Sequence, residues 1–388
     1  MDGDDADASV VIRTIDAIAG IDASEWDRLA APAARTENPF VRHAFLAALE
    51  QSKSVGSGTG WTPLHVIAKR GAALIAAAPA YLKDHSYGEY VFDHGWADAY
   101  ARAGGRYYPK LLCAVPFTPV AGPRLFAEDD AGRALLARAL IAVTQKLGLS
   151  SAHVNFAVDD APLTAEGFLP RHGVQFHWLN RGYGSYEEFL GALSSRHRKA
   201  LKRERRAASE GLTIRRLTGS DICERHWDVF WRFYQDTGAR KWGEPYLTRP
   251  FFSLIGETMR ERIVLVVAED AGRPIAGALN FVGGDAIYGR YWGRVEDRPF
   301  LHFEVCYHQA IEHAIERGLA RVEAGAQGDH KLARGYEPVI MRSAHWIEDP
   351  GFRAAVARFL TAERQHLDTE AASLAEALPF RAEATEPH

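Results

Sequence analysis

The stretch IYGRYWGRVEDRPFLHFEVCYHQAIEHAIERGLARVEAGAQGDHKLARGY, from Ile287 to Tyr336, decides how the rest of the chain is read. It opens on an aromatic run with strand alternation, which puts Tyr288, Arg290 and Trp292 on one face and Ile287, Gly289 and Tyr291 on the other. A polar-rich helix follows and stops at Arg317-Gly318-Leu319. A second strand then runs into Gly325-Ala326-Gln327-Gly328, and a short basic helix starts at Lys331. Side chains suited to proton transfer or anion binding are dense here: His302, Glu304, His308, Glu323, Gln327, His330, Lys331 and Arg334.

Just upstream, Ile263–Glu269 and Pro274–Val282 read as a strand pair around the turn Asp270-Ala271-Gly272. Before them come helices over Tyr246–Arg260 and His226–Thr237, a strand over Leu212–Leu217, and a helix from Tyr186 that becomes SSRHRKALKRERRAASEGL and stops at Gly211. In that basic helix Arg198, Lys199, Lys202, Arg203 and Arg206 share a side. Such a run is ordinarily a solvated face; its functional reading is phosphate binding, in transfer RNA or a nucleotide-linked substrate. Downstream, an amphipathic helix starts at Phe352 and carries Val356, Phe359, Leu360 and Leu367.

The first half repeats this order. VIAKRGAALIAAAPAYLKDHSYGEYVFD (Val66–Asp93) lines up with VVAEDAGRPIAGALNFVGGDAIYGRYWG (Val266–Gly293): strand, tight turn, strand, hairpin, aromatic strand. Ala72–Leu82 reads as one strand. The segment after it, rich in aromatics, Gly and Pro, reads as loops and short strands. Ala131–Leu147 is an amphipathic helix stopped by Gly148, His153–Val158 a strand, Leu163–His172 a short helix and Val174–Asn180 a strand. Ser24 reads as the N-cap of an early helix. The repeat of about 180–200 residues is too long for a solenoid. Antiparallel strands followed by one strand–helix–strand crossover predict a mixed, mostly antiparallel sheet flanked by helices in each copy. Where the sheet changes character, parting strands expose backbone amides to a ligand.

Composition narrows the function. Lys and Arg number 46 against 50 Asp and Glu, a formal charge of −4, which excludes wholesale nucleic-acid coating but not a local basic patch. Cys113, Cys223 and Cys306 are odd in number and far apart, which predicts a reducing, cytoplasmic setting rather than a disulfide framework. MDGDDADASV lacks a secretory signal pattern, and no run is apolar enough to span a membrane.

YYPKLLCAVPFTPVAGPRL (Tyr107–Leu125), QFHWLNRGY (Gln175–Tyr183), IYGRYWG (Ile287–Gly293), LHFEVCYHQAIE (Leu301–Glu312) and GAQGDHKLARGYEP (Gly325–Pro338) resemble a bacterial FemAB-like family of predicted N-acyltransferases. That family is related to peptidoglycan-bridge aminoacyltransferases and, more distantly, to the GNAT superfamily. The resemblance implies an α/β (α+β) chain of two tandem GNAT-like domains, here bounded as 10–183 and 184–351, with a disordered 1–9 before them and a helix and tail over 352–388. Lys331-Leu332-Ala333-Arg334-Gly335-Tyr336 sits where the bridge-forming enzymes carry a Phe-Lys-x-x-Phe-Gly-like segment. One departure stands out: Gly293-Arg294-Val295-Glu296-Asp297-Arg298 occupies the place of the pyrophosphate loop of the acetyl-CoA enzymes.

The expected activity is N-acyl transfer from an activated donor, acyl-CoA or similar, to a small-molecule or peptide amine, directly and without a covalent enzyme intermediate. Alternatives are an aminoacyl-tRNA-dependent transferase of the peptidoglycan-bridge type and a non-catalytic glycan or peptide recognition module. Acyl transfer needs a proton acceptor and oxyanion donors. His302 and Glu304 flank Phe303, so an extended segment would point both to one face as base or positioning groups; the alternative is that they favour the start of the following helix. Tyr288, Arg290 and Trp292 would wall the substrate together with Gln327 and His330, with core packing as the competitor. Gly328, Lys331 and Arg334 would bind phosphate or donor at a loop running into a helix, joined by Arg198, Lys199 and Lys202. His308 and Glu312 share a helical face without zinc spacing, and no metal is expected.

Overall fold

A computed structural model describes residues 9–31, 37–240, 245–325 and 328–381. The chain divides into two compact units, each drawn from separated segments. One comprises Met1–Gly173, Tyr246–Ile255 and Ile340–Asp368; the other comprises Val174–Pro245, Gly256–Val339 and Thr369–His388.

The first unit holds α1 (Ala23–Ala30), α2 (His43–Gln51), α3 (His94–Arg102), α4 (Asp130–Lys146) and α5 (Ala161–Ala165). One antiparallel sheet has the order β1 (Val10–Ile15), β3 (His65–Arg70), β4 (Ala73–Ala78), β7 (Phe126–Ala127). Pro79, which has no N–H to donate, ends β4. The chain resumes as β5 (Ala80–Lys83) in a different sheet, so the single strand expected over Ala72–Leu82 is two. That second sheet also contains β2 (Trp61–Pro63), β6 (Lys110–Cys113) and β8 (Ser151–Ala157), with β6 and β8 parallel.

Other expectations for this half also change. Asp22, not Ser24, caps α1, its carboxylate accepting from the Ser24 and Glu25 N–H groups. Residues 170–173, expected to close a helix, lie inside β9 (Leu169–Leu179). Tyr87–Asp93, aligned above with the aromatic strand, is loop leading into α3; the strand that pairs in parallel is β6.

The second unit holds α6 (Tyr186–Ala192), α7 (Ser195–Ser209) and α8 (Glu224–Arg240); α9 (Arg249–Thr258) follows in the chain. Its sheet runs β10 (Leu212–Thr218), β11 (Ile263–Asp270), β12 (Arg273–Val282), β13 (Ala286–Arg294), β14 (Arg321–Glu323), then β9. The pairing is antiparallel as far as β13, parallel from β13 to β14, and antiparallel again from β14 to β9. The crossover between the parallel strands contains a helical turn α10 (Leu301–Phe303), a π-helical turn over Glu304–His308, and α11 (Gln309–Arg317). The chain ends in β15 (Tyr336–Ile347) and α12 (Pro350–Glu376).

The two halves share an order of elements. Each half has a tight hairpin, β3–β4 or β11–β12, and a parallel pair enclosing a crossover helix, β6–α4–β8 or β13–α11–β14. The closing strands are exchanged: β9, from the first half, pairs with β14, whereas β15, from the second half, pairs with β8. Apart from the wholly antiparallel β1–β3–β4–β7 sheet, the strands form mixed, mostly antiparallel sheet flanked by helices, as the sequence predicts. In the second unit one sheet face buries Ile287, Val322, Trp178 and Phe176 against Phe189 and Leu190 of α6 and Ile311 and Ala314 of α11. Each fully buried Ile, Val, Leu or Phe side chain contributes about 1.5–3 kcal/mol. Helix α8 packs so closely that a Cβ on Gly293 would lie 2.0 Å from the Phe233 carbonyl oxygen.

Candidate functional site

The second unit's sheet opens at one place. The parallel ladder pairs Ala286 with Arg321, Ile287 with Val322 and Tyr288 with Glu323, and there it ends. On the other edge of β13 the register with β12 jumps from Asn280↔Gly289 to Leu279↔Tyr291, leaving Arg290 as an extra residue. Such a β-bulge breaks the ladder and re-aims the side chains beyond it. It also overturns the shared wall expected of Tyr288, Arg290 and Trp292. Trp292 joins Ile287 in the apolar core and stacks near His302, with ring centroids 4.7 Å apart. Tyr288 goes to the other side, where its hydroxyl accepts from Arg321 Nη2 at 3.2 Å.

His302 and Glu304 do not share a strand face, because the segment is helical from Leu301. Glu304, 2% exposed, is gripped through both oxygens by Arg205: Nε donates to Oε2 at 2.9 Å and Nη2 to Oε1 at 2.8 Å. Gln309 Nε2 adds a bond to Oε1 at 2.7 Å. With both oxygens engaged by Arg205 and Gln309, this geometry reads Glu304 as structural. Arg205 also binds Glu312 at 2.7 Å and covers the Tyr186 ring. Burial works against its charge, but the bonds to Glu304 and Glu312 raise its pKa. His308, considered above with Glu312 for a metal, instead bridges Tyr186 Oη at 2.7 Å and Glu204 Oε1 at 2.9 Å.

Arg334 belongs to the same lattice. Its Nε and Nη2 donate to Glu204 at 2.9 and 2.5 Å, its Nη1 donates to the His330 carbonyl, and its guanidinium lies 3.4 Å over the Phe303 ring. The arginine expected to bind a donor phosphate is therefore already paired inside the unit. Glu204 and Arg205 were hidden within the basic run. Their signal was position, since they lie on the side of α7 that carries buried Leu201 and Ala208.

Lys331 is the unusual cation. It is 1% exposed, lies in the short 3-10 helix Asp329–Arg334, and its Nζ donates to the Gly325 carbonyl at 2.7 Å. Burial lowers its pKa to about 8, with Cys306 opposing weakly. Gly325 and Gly328 have φ of +81° and +117°, which a side chain would strain. His330 is exposed, and its Nε2 meets Tyr307 Oη at 2.8 Å. Gln327 lies outside the described residues.

A polar pair flanks the strand opening, joining Glu323, singled out in the sequence, to His177, which was not. His177 on β9 is paired in register with Glu323 on β14. Glu323 Oε1 accepts from Arg321 Nε at 2.9 Å, and Arg321 Nη1 donates to Asp285 at 2.6 Å. Burial lowers the His177 pKa; Arg321 and Lys331 push the same way, and Glu323 opposes them. No spacing rule could join His177 to Glu323, since strand exchange brings them together.

Two basic features differ in availability. On α7, Arg196, Lys199, Lys202, Arg203 and Arg206 are exposed and Arg198 is half-buried; Lys202 pairs with Glu187 at 2.6 Å. Around the loop after β13, by contrast, the cations are met by carboxylates: Arg294 at the end of β13 by Asp297, Arg298 by Glu296 and Asp270, and Arg273 at the start of β12 by Glu296. A pyrophosphate there would have to displace them.

The chain matches the FemAB-like family, described as peptidoglycan biosynthesis/recognition, over residues 17–382. No curated protein matches. Among solved structures it resembles FemX at 13% identity and TM-score 0.54, over 87% of this chain and 98% of that one. It also resembles the C-terminal domain of a putative lysylphosphatidylglycerol synthetase from Agrobacterium fabrum, at 12% identity and TM-score 0.50, over 86% and 95%. A tandem GNAT protein from the clavulanic acid biosynthesis pathway aligns at 12% identity and TM-score 0.46, over 88% and 99%. Among the described residues, no helix is long and apolar enough to cross a membrane.

Proposed function

The chain belongs to the FemAB-like family, and from that premise we propose that its second unit transfers an acyl or aminoacyl group from an activated donor to an amine. The observation that carries this reading is the parting of β13 from β14 beyond Tyr288 and Glu323, beside a bulge at Arg290 and a buried Lys331 in the short 3-10 helix Asp329–Arg334. Backbone N–H groups freed at such a bulge suit a developing oxyanion. An amine whose pKa is about 8 can hold or release a proton near neutrality, which suits it to the leaving group or to a donor's anionic oxygen. Transfer is direct in this reading: the amine attacks the acyl carbon, the bond to the leaving group breaks, and the surplus proton leaves the site.

For the donor, the exposed cations of α7 and the carboxylate-filled loop after β13 favour an aminoacyl-tRNA over acyl-CoA. Acyl-CoA is the second reading, and a non-catalytic recognition module for glycan or peptide is the third. The test is a mass-spectrometric assay that supplies charged transfer RNA or acyl-CoA with amine-bearing peptides. Lys331→Met should lower transfer at least about a hundredfold while keeping the fold by circular dichroism. If no donor yields an amide, the recognition module replaces this reading.

A further inference from the structure

His177 and Glu323 carry two buried polar atoms beside the strand opening that the mechanism above leaves unused. Among the described residues, His177 Nε2 and Glu323 Oε2 are buried without a hydrogen-bond partner. They face each other at 3.7 Å, on side chains only 7% and 5% exposed. A buried acceptor left unmet costs about 1–3 kcal/mol, so two of them side by side call for a donor.

The surroundings set the donor's chemistry. Glu323 spends only its other oxygen on Arg321, and Arg321 is itself divided among Glu323, Asp285 and Tyr288. With burial keeping the imidazole neutral, His177 Nε2 can offer a lone pair. One nitrogen with two N–H groups reaches both atoms. A hydroxyl, with one O–H, serves one, and a carboxylate or phosphate serves neither.

We propose that His177 Nε2 and Glu323 Oε2 form the seat for the primary amine of the acceptor. The seat rests on the transfer reading above for its purpose, but not for its existence. Two N–H groups of the amine donate to the pair, which directs the nitrogen lone pair away from them. An acceptor arriving as ammonium gives up its third proton before attack. The new C–N bond forms as the bond from the acyl carbon to the leaving group breaks, and one further N–H proton leaves with that group. The groups facing the seat are Arg321 on its own strand, Tyr288 on β13 and Lys331 on the 3-10 helix. Tyr288 is uncharged; the positive charges of Arg321 and Lys331 offset the Glu323 carboxylate and so weaken its preference for a bound ammonium over the neutral, nucleophilic amine.

The test is binding, read by long-range ¹⁵N spectra of the full chain labelled in histidine, with the His177 signal identified through His177→Gln. The probes are Nα-acetyl-lysine methyl ester and the same compound acetylated on its side-chain nitrogen. The free amine should move the His177 Nε2 signal and the blocked one should not. Glu323→Gln should weaken the effect about tenfold. Equal shifts from both probes, or none from either, overturn the seat; both results come from the wild-type chain and need no variant to fold. Amine binding without transfer from any donor would instead remove the transfer reading and leave the seat standing. Transfer at an unchanged KM for the amine in Glu323→Gln would remove the seat and leave the reading.

Discussion

Arg205 holds Glu304 through both carboxylate oxygens, at 2.9 and 2.8 Å, and ties α7 to the π-helical turn that follows the strand opening. A widened helical turn often marks a functional segment. Here it carries Glu304 inward to an arginine and His308 to Glu204 and Tyr186, so the crossover is locked by charge rather than by apolar packing alone.

The Arg205→Met variant leaves Glu304 as a buried charge without its partner, a loss of roughly 3–5 kcal/mol. Urea unfolding should show it as a lower midpoint. The double variant Arg205→Met/Glu304→Met should recover much of that loss, because no charge remains buried. If Arg205→Met alone costs less than about 1 kcal/mol, the pair does not hold the segment.

Lys331 should leave a signature in the pH dependence of stability. Its folded pKa is lowered from 10.5 to about 8, so between those values the unfolded chain binds more protons. Stability therefore gains from this group as pH rises through that window, on the order of 3 kcal/mol in all. Below pH 8 the penalty is constant. Relative to Lys331→Met, the wild type should gain stability from pH 8 to 10.5, as followed by urea titrations. A constant difference would mean that the ammonium is solvated.

Gly293→Ala should be severe for its size. The added methyl meets Phe233 backbone atoms at 2.0 and 2.3 Å, and backbone cannot swing aside as a side chain can. The β13–α8 packing must open, which costs at least about 2 kcal/mol. Gly191→Ala, where the methyl enters open space, is the control and should be neutral or slightly stabilising.

The outer face of α7 predicts a salt-dependent anion site. Replacing Arg198, Lys199 and Lys202 by serine should reduce the slope of log affinity for transfer RNA against log salt by about 2 to 3. The measurement is filter binding across a salt series. An unchanged slope would make the face merely solvated.

Much of this fold is legible in the sequence because its signals are local. The hairpin turns at Arg70-Gly71 and Asp270-Ala271-Gly272, the helix stops at Gly148 and Gly318, and the strand–helix–strand crossovers all follow from spacing. What failed was long-range or non-periodic. A bulge at Arg290 reversed the faces of Tyr288 and Trp292 without any change in composition. A helix beginning at Leu301 replaced the strand that would have paired His302 with Glu304. Arg334 and Glu204, 130 residues apart, neutralise each other, so a cation expected to face a ligand is spent inside. His177 meets Glu323 only because the closing strands are exchanged.

In the proposed reaction the opening between β13 and β14 joins an activated acyl group to an amine. Its most direct test is mass-spectrometric detection of amide formation from isotope-labelled aminoacyl-tRNA and an amine-bearing cell-wall peptide, comparing wild type with Lys331→Met. The account predicts a labelled amide with the wild type and at least about a hundredfold less with the variant. Equal amide formation by the two proteins would contradict it.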